Sequence, residues 1–282
     1  MIAFIILHYK NISDTLECIE AIQKLKFENS KIVVVENGSL DSSTVILRNL
    51  EDKIDVVFND KNYGFAKGNN KGIEYAKNKY NPEYYVVINN DIIINDQNLF
   101  DEIYRLNKLY NFDVLGPKII SKNNLNQNPN YLVLSKTKDI IRHLIKLNII
   151  IILIKINLYD RLKKIKKTEV NNKIDNEETI LIDIPLHGSA LIFSNKYVAR
   201  YSEPFDESTF LYGEEEFLHY RRVRDKLTFV YTPYIKVYHK EDAALNGLFK
   251  DSSDDKIKFV IKNSRYSLTK LLLKKLQDKF RW

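Results

Sequence analysis

Five positions could carry chemistry. Asp91 directly follows Asn89 and Asn90 at the end of the apolar run 84–88. A carboxylate there can meet a divalent cation held between phosphates, because Mg2+ and Mn2+ prefer hard oxygen ligands and commonly take only one or two carboxylates from the protein. As an isolated tripeptide, Asn89-Asn90-Asp91 is more often simply a turn. Far downstream, Glu214, Glu215 and Glu216 open a helical stretch after Tyr212-Gly213. Acids in a first helical turn ordinarily complement the helix dipole, but one that faces a cleft can take a proton from a substrate hydroxyl. His239 ends the apolar stretch 235–239. A histidine at a strand end is ordinarily structural, yet its imidazole is a competent metal ligand.

The elements that must position these residues can be read from periodicity. Residues 2–7 are a continuous apolar run, the pattern of a strand buried on both faces of a parallel sheet. Ser13 or Asp14 can cap a helix carrying Leu16, Ile19, Ile22 and Leu25. Strands are expected at 32–35, 54–58 and 84–88, with helices at 41–50 and 66–79 between them. This β-α alternation implies an open parallel sheet with helices on both faces, where ligands bind beyond the carboxyl ends of the strands. That rule selects His8-Tyr9, Glu36-Asn37, the loop 62–70 and residues 89–91.

The second half differs. An Asn-rich loop spans 123–130, and residues 138–167 are Ile and Leu interrupted by Arg142, Lys146, Lys155, Arg161, Lys163, Lys164, Lys166 and Lys167. A polar stretch at 168–178 reads as a loop. Strands are expected at 180–184, 191–193, 228–231 and 235–239, and an amphipathic, Lys-rich helix at 257–280.

In the 282-residue chain, 44 Lys and Arg against 37 Asp and Glu leave a net charge of +7, a modest excess that admits an acidic partner: a nucleotide, a nucleic acid or an anionic membrane. The single cysteine, Cys18, excludes a disulfide framework and a Cys-rich zinc site. The N-terminus reads as a first strand and not as a signal peptide, and no apolar run reaches the length of about 18 residues needed for a transmembrane helix.

Several motifs, taken in order, resemble the family 2 glycosyltransferases, particularly bacterial rhamnosyltransferase-like capsule and O-antigen transferases. They are Ile5-Ile6-Leu7-His8-Tyr9-Lys10, Val34-Val35-Glu36-Asn37-Gly38-Ser39, Asn62-Tyr63-Gly64-Phe65-Ala66-Lys67-Gly68-Asn69-Asn70-Lys71-Gly72, Asn89-Asn90-Asp91, His187-Gly188-Ser189-Ala190, Tyr212-Gly213-Glu214-Glu215 and His239. The resemblance covers roughly residues 2–240. It implies an α/β, GT-A type, Rossmann-like fold with a mostly parallel sheet flanked by helices, a basic apolar insertion and a C-terminal amphipathic helix. The implied organisation is a nucleotide-sugar half (1–117), an insertion (118–179), an acceptor and catalytic half (180–240) and a helical extension (241–282).

The resemblance further implies an inverting transferase. His8, Tyr9, Glu36, Asn37, Asn62, Gly64, Lys67, Asn70, Asn89, Asn90 and Asp91 would bind a nucleoside-diphosphate sugar, such as a UDP- or dTDP-sugar. His187, Gly188 and Ser189 would form a donor-sugar or acceptor loop. Asp91 and His239 would hold Mn2+ or Mg2+, and Glu215 would be the base, with Glu214 the adjacent candidate. Asn89 stands where the family has the first aspartate of its metal motif, and Glu215 where many relatives have Asp.

Residues 277–282 differ by one position from the Gln-x-x-Arg-Trp signature of processive synthases, which favours single addition. A lipid-linked saccharide is the expected acceptor. The basic segment 138–167 suggests peripheral attachment to an anionic membrane on the cytoplasmic face, with packing on the catalytic domain or on a second subunit, as in a homodimer, as the other use of its apolar residues. Two readings compete: a sugar-nucleotide nucleotidyltransferase, which would need a Gly-rich basic loop after the first strand, where His8-Tyr9-Lys10-Asn11 stands, and a basic nucleic-acid-binding protein. No nucleic-acid motif appears, so no nucleic-acid partner is expected.

Overall fold

The computed structural model describes residues 1–156, 158, 178–241 and 253–280. Among these residues, nine strands form one sheet in the order β3-β2-β1-β4-β8-β6-β9-β5, with β7 paired to β9. The first half is the expected alternation: β1 (Ile2–His8), α1 (Ile12–Lys24), β2 (Ser30–Glu36), α2 (Ser42–Arg48), β3 (Asp55–Phe58), α3 (Phe65–Tyr80) and β4 (Tyr84–Asn89). These four strands are parallel. Their continuous apolar runs arise because each strand feeds two cores. Phe4, Ile6, Val34, Val86 and Ile88 point to the face covered by Ile19, Ile22 and Ile103, while Ala3, Ile5, Val33, Val35 and Val87 point to the face covered by Ile73 and Ala76.

Beyond β4 come β5 (Ile92–Ile94), α4 (Leu99–Tyr110), β6 (Val114–Ser121), α5 (Thr137–Lys155), β7 (Leu181–Ile182), β8 (Ala190–Ser194), α6 (Asn195–Arg200), α7 (Glu214–Asp225), β9 (Phe229–His239) and α8 (Ser253–Phe280). Here the sheet is mixed: β8 runs antiparallel to β4 and β6, β5 and β7 run antiparallel to β9, and β6 is parallel to β9.

Two expectations change. The division at residue 117 falls inside β6, which is one continuous buried strand. The strands expected at 228–231 and 235–239 are a single strand, β9, in which Pro233 sits at a register shift opposite Pro117 and Lys118, where a missing N–H does no harm. The C-terminal helix packs its Ile261, Leu268 and Leu271 against Ile140 and Leu147 of α5 and Phe217 of α7, forming a third, smaller core. Of the basic segment, residues 137–155 form α5, whereas Arg161, Lys163, Lys164, Lys166 and Lys167 lie outside the described residues, as do Arg281 and Trp282.

Candidate active site

The chain order reverses between β1 and β4, which lie side by side, so their carboxyl ends open a crevice at a topological switch point. Asp91 leaves β4 at that edge and leads into β5, whose antiparallel register sets Ile92 opposite His239. The pairing brings Asp91 Oδ1 to 3.4 Å from His239 Nε2, with side chains only 8% and 11% exposed. The Lys240 backbone N–H donates to the Asp91 carbonyl at 3.1 Å and locks the register.

This donor set fits a divalent cation. Two donors each about 2.1 Å from one ion and separated by roughly a right angle lie about 3 Å apart, close to the spacing present. Among the described residues no cluster of three or more His, Cys, Asp or Glu side chains could hold a metal. A pair suffices for an ion whose remaining ligands are phosphate and water.

The acidic triplet begins α7, whose N-cap Gly213 has φ 95; a Cβ there would lie 2.6 Å from the Ser267 Cβ. Glu215 is held by two other segments. The Gly188 N–H donates to its Oε1 at 2.6 Å, and Asn130 Nδ2 donates to its Oε2 at 2.9 Å. His187 Nδ1 lies 3.8 Å from Oε1 and 3.0 Å from Ser189 Oγ. The His187 ring sits edge-on to that of His239, centroids 6.1 Å apart, and so links the carboxylate to the Asp91–His239 pair. A cleft of about 340 Å³ runs past Asn89, His187, Gly188, Ser189 and the three glutamates.

Burial pushes Glu214 and Glu216 up to about 7, with the Glu215 charge adding to both. Burial lowers His187, against the opposing pull of Glu215, so its ring favours the neutral form. Among the three acids, Glu215 is the one whose two oxygens are both oriented by donors from the cleft wall.

Several residues expected to touch the nucleotide are hydrogen-bonded within the chain. His8 is buried, with Nδ1 2.7 Å from Thr15 Oγ1 and Nε2 2.8 Å from Ser43 Oγ, so both ring nitrogens tie β1 to α1 and α2. Asn90 Nδ2 donates to Thr15 Oγ1 and the Asn11 carbonyl. Asn37 donates to Asn62 Oδ1 and the Gly64 carbonyl and accepts from Asn59 Nδ2 and the Tyr63 N–H, which uses its whole amide. Asn70 spans from α3 to the Phe205 N–H and carbonyl and to Glu207. Glu36 accepts from the Ser39 N–H at 2.6 Å.

These side chains build the wall of the crevice; a strand-end position puts a residue near the ligand edge but does not leave its polar atoms free. Asn62 Oδ1 also accepts from the Gly64 N–H. Gly64 itself starts α3 at φ 81, and a Cβ there would meet the Phe210 carbonyl at 2.2 Å. Lys67 stays partly exposed, 3.5 Å from Glu207 and over the Tyr63 ring, and Tyr9 lies under the Lys10 ammonium.

The loop 122–130 supplies residues that sequence reading passed over. Asn128 is fully buried, donating to the Pro117 carbonyl at 2.7 Å and accepting the His187 N–H at 3.0 Å. Asn130 orients Glu215, and Gln127 reaches His239. Their signal was the density of Asn in 123–130, which alone describes only a loop.

The profile of glycosyl transferase family 2 matches residues 3–166, more than half of the chain. The chain belongs to glycosyl transferase family 2. Among relatives of this family 2 protein, a low-salt glycan biosynthesis hexosyltransferase, Agl10, of Haloferax volcanii is 28% identical over 130 residues, covering 45% of this chain and 40% of the relative. The glycosyltransferase GlyG of Streptococcus pneumoniae is 29% identical over 93 residues, 32% of this chain and 29% of GlyG. The chain therefore spans less than half the length of either.

S. aureus TarS 1-349 in complex with UDP superposes with a TM-score of 0.56 at 14% identity, over 85% of this chain and 60% of TarS. Its UDP-GlcNAc complex gives 0.52 at 15% identity, over 92% and 65%. These superpositions agree with the expected GT-A type α/β fold.

Proposed function

We propose that this protein is an inverting glycosyltransferase that moves a hexosyl or 6-deoxyhexosyl group from a nucleoside-diphosphate sugar to a saccharide hydroxyl. One observation carries the reading: the His187 ring lies between the oriented Glu215 carboxylate and the Asp91–His239 pair in a family 2 fold. Glu215 takes the acceptor proton as the hydroxyl oxygen bonds to the anomeric carbon, and the bond from that carbon to the diphosphate oxygen breaks on the opposite face. Asp91 and His239 would hold Mn2+ or Mg2+, and the ion when bound would supply Lewis-acid stabilisation for the leaving diphosphate. The UDP and UDP-GlcNAc bound by TarS favour a UDP-sugar donor over a dTDP-sugar. A donor screen reading nucleoside diphosphate release, with Mn2+, with Mg2+ and in excess chelator, tests this. No release from any UDP- or dTDP-hexose in the presence of acceptor saccharides would overturn it.

The acceptor is a lipid-linked saccharide, reached by peripheral attachment to the cytoplasmic face of a membrane. On α5 and its C-cap, Ile141, Ile145, Ile149, Ile152 and Ile156 form an exposed stripe, each 43–57% exposed, with Lys138, Arg142, Lys146 and Lys155 exposed beside it. His143 of the same helix lines the cleft. Among the described residues no helix is long and apolar enough to cross a membrane. An amphipathic helix with flanking lysines instead suits the bilayer interface.

A further inference from the structure

We propose that Glu241 and Gln127 form a relay that holds His239 as its Nδ1–H tautomer, leaving the Nε2 lone pair aimed at Asp91, so that Gln127 is a positioning residue for the divalent cation. The inference rests on the cation reading above and adds residues outside every motif that brought the chain to family 2.

The relay is assembled by strand pairing. β6 runs parallel to β9 with Ser121 opposite His239, and the chain then folds back so that the Gln127 N–H donates to the Ile119 carbonyl at 2.8 Å. This return sets Gln127 Oε1 2.8 Å from His239 Nδ1. On its other side Gln127 Nε2 donates to Glu241 Oε1 at 2.5 Å. Glu241, two residues past the end of β9 at His239, adopts φ 63.

The direction of the relay follows from donor and acceptor inventories. A carboxylate only accepts, so Gln127 must turn its NH2 to Glu241 and its carbonyl to His239. A carbonyl also only accepts, so His239 Nδ1 must carry the hydrogen. In a neutral imidazole the other nitrogen is then a bare lone pair. Reversing any member sets two acceptors face to face at hydrogen-bond distance.

The Asp91 side of the ring agrees. A charge-assisted N–H···O bond is about 2.7–2.9 Å long, and the Nε2 to Oδ1 distance of 3.4 Å exceeds it. The two atoms are placed as co-ligands of a shared cation and not as donor and acceptor.

The test uses the metal-free full chain labelled with 15N-histidine, read by long-range 1H–15N correlation, together with Mn2+ affinity by calorimetry. Wild-type His239 should give the Nδ1–H pattern. Gln127→Leu should release it to the Nε2–H form, which free imidazole side chains favour, and weaken Mn2+ binding about 10–100-fold, the usual effect of removing an outer-shell partner. The exchanged pair Gln127→Glu with Glu241→Gln keeps the same polarity, since the amide now at position 241 would donate to the carboxylate now at position 127, and that carboxylate would accept from Nδ1–H. It should retain both the tautomer and the affinity.

An Nε2–H His239 in the metal-free wild type would overturn the relay, and so would unchanged Mn2+ affinity in Gln127→Leu. If that variant does not fold, the wild-type tautomer and the exchanged pair still decide. A wild type that binds no Mn2+, either alone or with UDP present, would sink the cation reading and the positioning role with it, and this is seen separately because the tautomer needs no metal.

Discussion

The Gly188 backbone N–H donates to Glu215 Oε1 across 2.6 Å, so the loop expected to touch the sugar also aims the acid expected to take the proton. Asn130 completes the arrangement from a third segment, 85 positions from Glu215 in the sequence. A carboxylate oriented by two fixed donors retains lone pairs for a substrate hydroxyl and loses rotamers that would turn it away.

Glu215→Gln should lower kcat by about 10²–10⁴-fold while leaving donor affinity nearly unchanged, because the amide keeps the shape but loses the proton acceptor. Glu214→Gln should cost far less. Steady-state kinetics on both variants, with donor binding by calorimetry, checks this; the opposite ranking would move the base to Glu214.

Asp91→Ala should reduce turnover by about 10²-fold or more and abolish the response to Mn2+, since several kcal/mol of charge stabilisation are lost. His239→Ala should weaken the metal response more mildly. Initial rates across a Mn2+ titration compare the two, and full wild-type turnover in excess chelator would refute the metal role.

Asn130→Ala should lower kcat about tenfold with little change in melting temperature, as one charge-assisted contact of about 1.5–3 kcal/mol is removed at the rim of the site. Asn128→Ala should instead destabilise the fold. It strands the Pro117 carbonyl and the His187 N–H in the interior, at about 1–3 kcal/mol for each unsatisfied group. Thermal melts beside kinetics separate the two effects.

Stability should fall as pH rises from about 4.5 to about 7 and change little above that. Burial raises Glu214 and Glu216 from 4.5 to about 7, so the folded state holds protons that the unfolded chain has lost; that stabilisation is complete below 4.5 and disappears as pH passes 7. His219 acts in the other direction at lower pH. Burial, with Arg222 and Lys275 nearby, depresses it to about 4, so its contribution is lost as pH falls from 6.5 through 4. The double variant Glu214→Gln, Glu216→Gln should flatten the upper limb and melt several degrees higher than wild type at pH 8 (about 2–4 °C per kcal/mol for a domain of this size).

Replacing Ile145, Ile149 and Ile152 together by Gln should reduce flotation with anionic vesicles at low salt by about 10²-fold or more, given roughly 1.5–3 kcal/mol for each apolar side chain buried. The three residues are exposed, so the melting temperature should hold. Equal recovery of both proteins in the unbound fraction would remove the membrane claim, and a loss of dimer in the variant would assign the stripe to a second copy of the chain.

The parallel half of the fold was legible in the residues because its signal is local. An apolar run such as 2–7 or 84–88, followed by a capped helical period, can scarcely be anything but a strand buried on both faces, and four such units place Glu36, Asn89 and Asp91 at one edge. The types of the candidate residues, a strand-end Asp, a strand-end His and an acid in a first helical turn, were equally local. The elements between 92 and 121 were not separated, because short apolar pieces such as Ile92–Ile94 have no period that distinguishes strand from helix.

Tertiary structure decided which polar atoms remain available. His8 and Asn37 looked like ligands from their strand-end positions, but hydroxyls of α1 and α2 take both nitrogens of one, and the 59–64 loop takes the whole amide of the other. Asn128, Asn130 and Gln127 looked like loop residues and became the supports of His187, Glu215 and His239. Sequence determines how many donors and acceptors a side chain carries, whereas their partners depend on strand register. Asp91 meets His239 only because β5 pairs with β9 with Ile92 opposite His239, and a one-residue slip would turn every side chain of that strand to the other face.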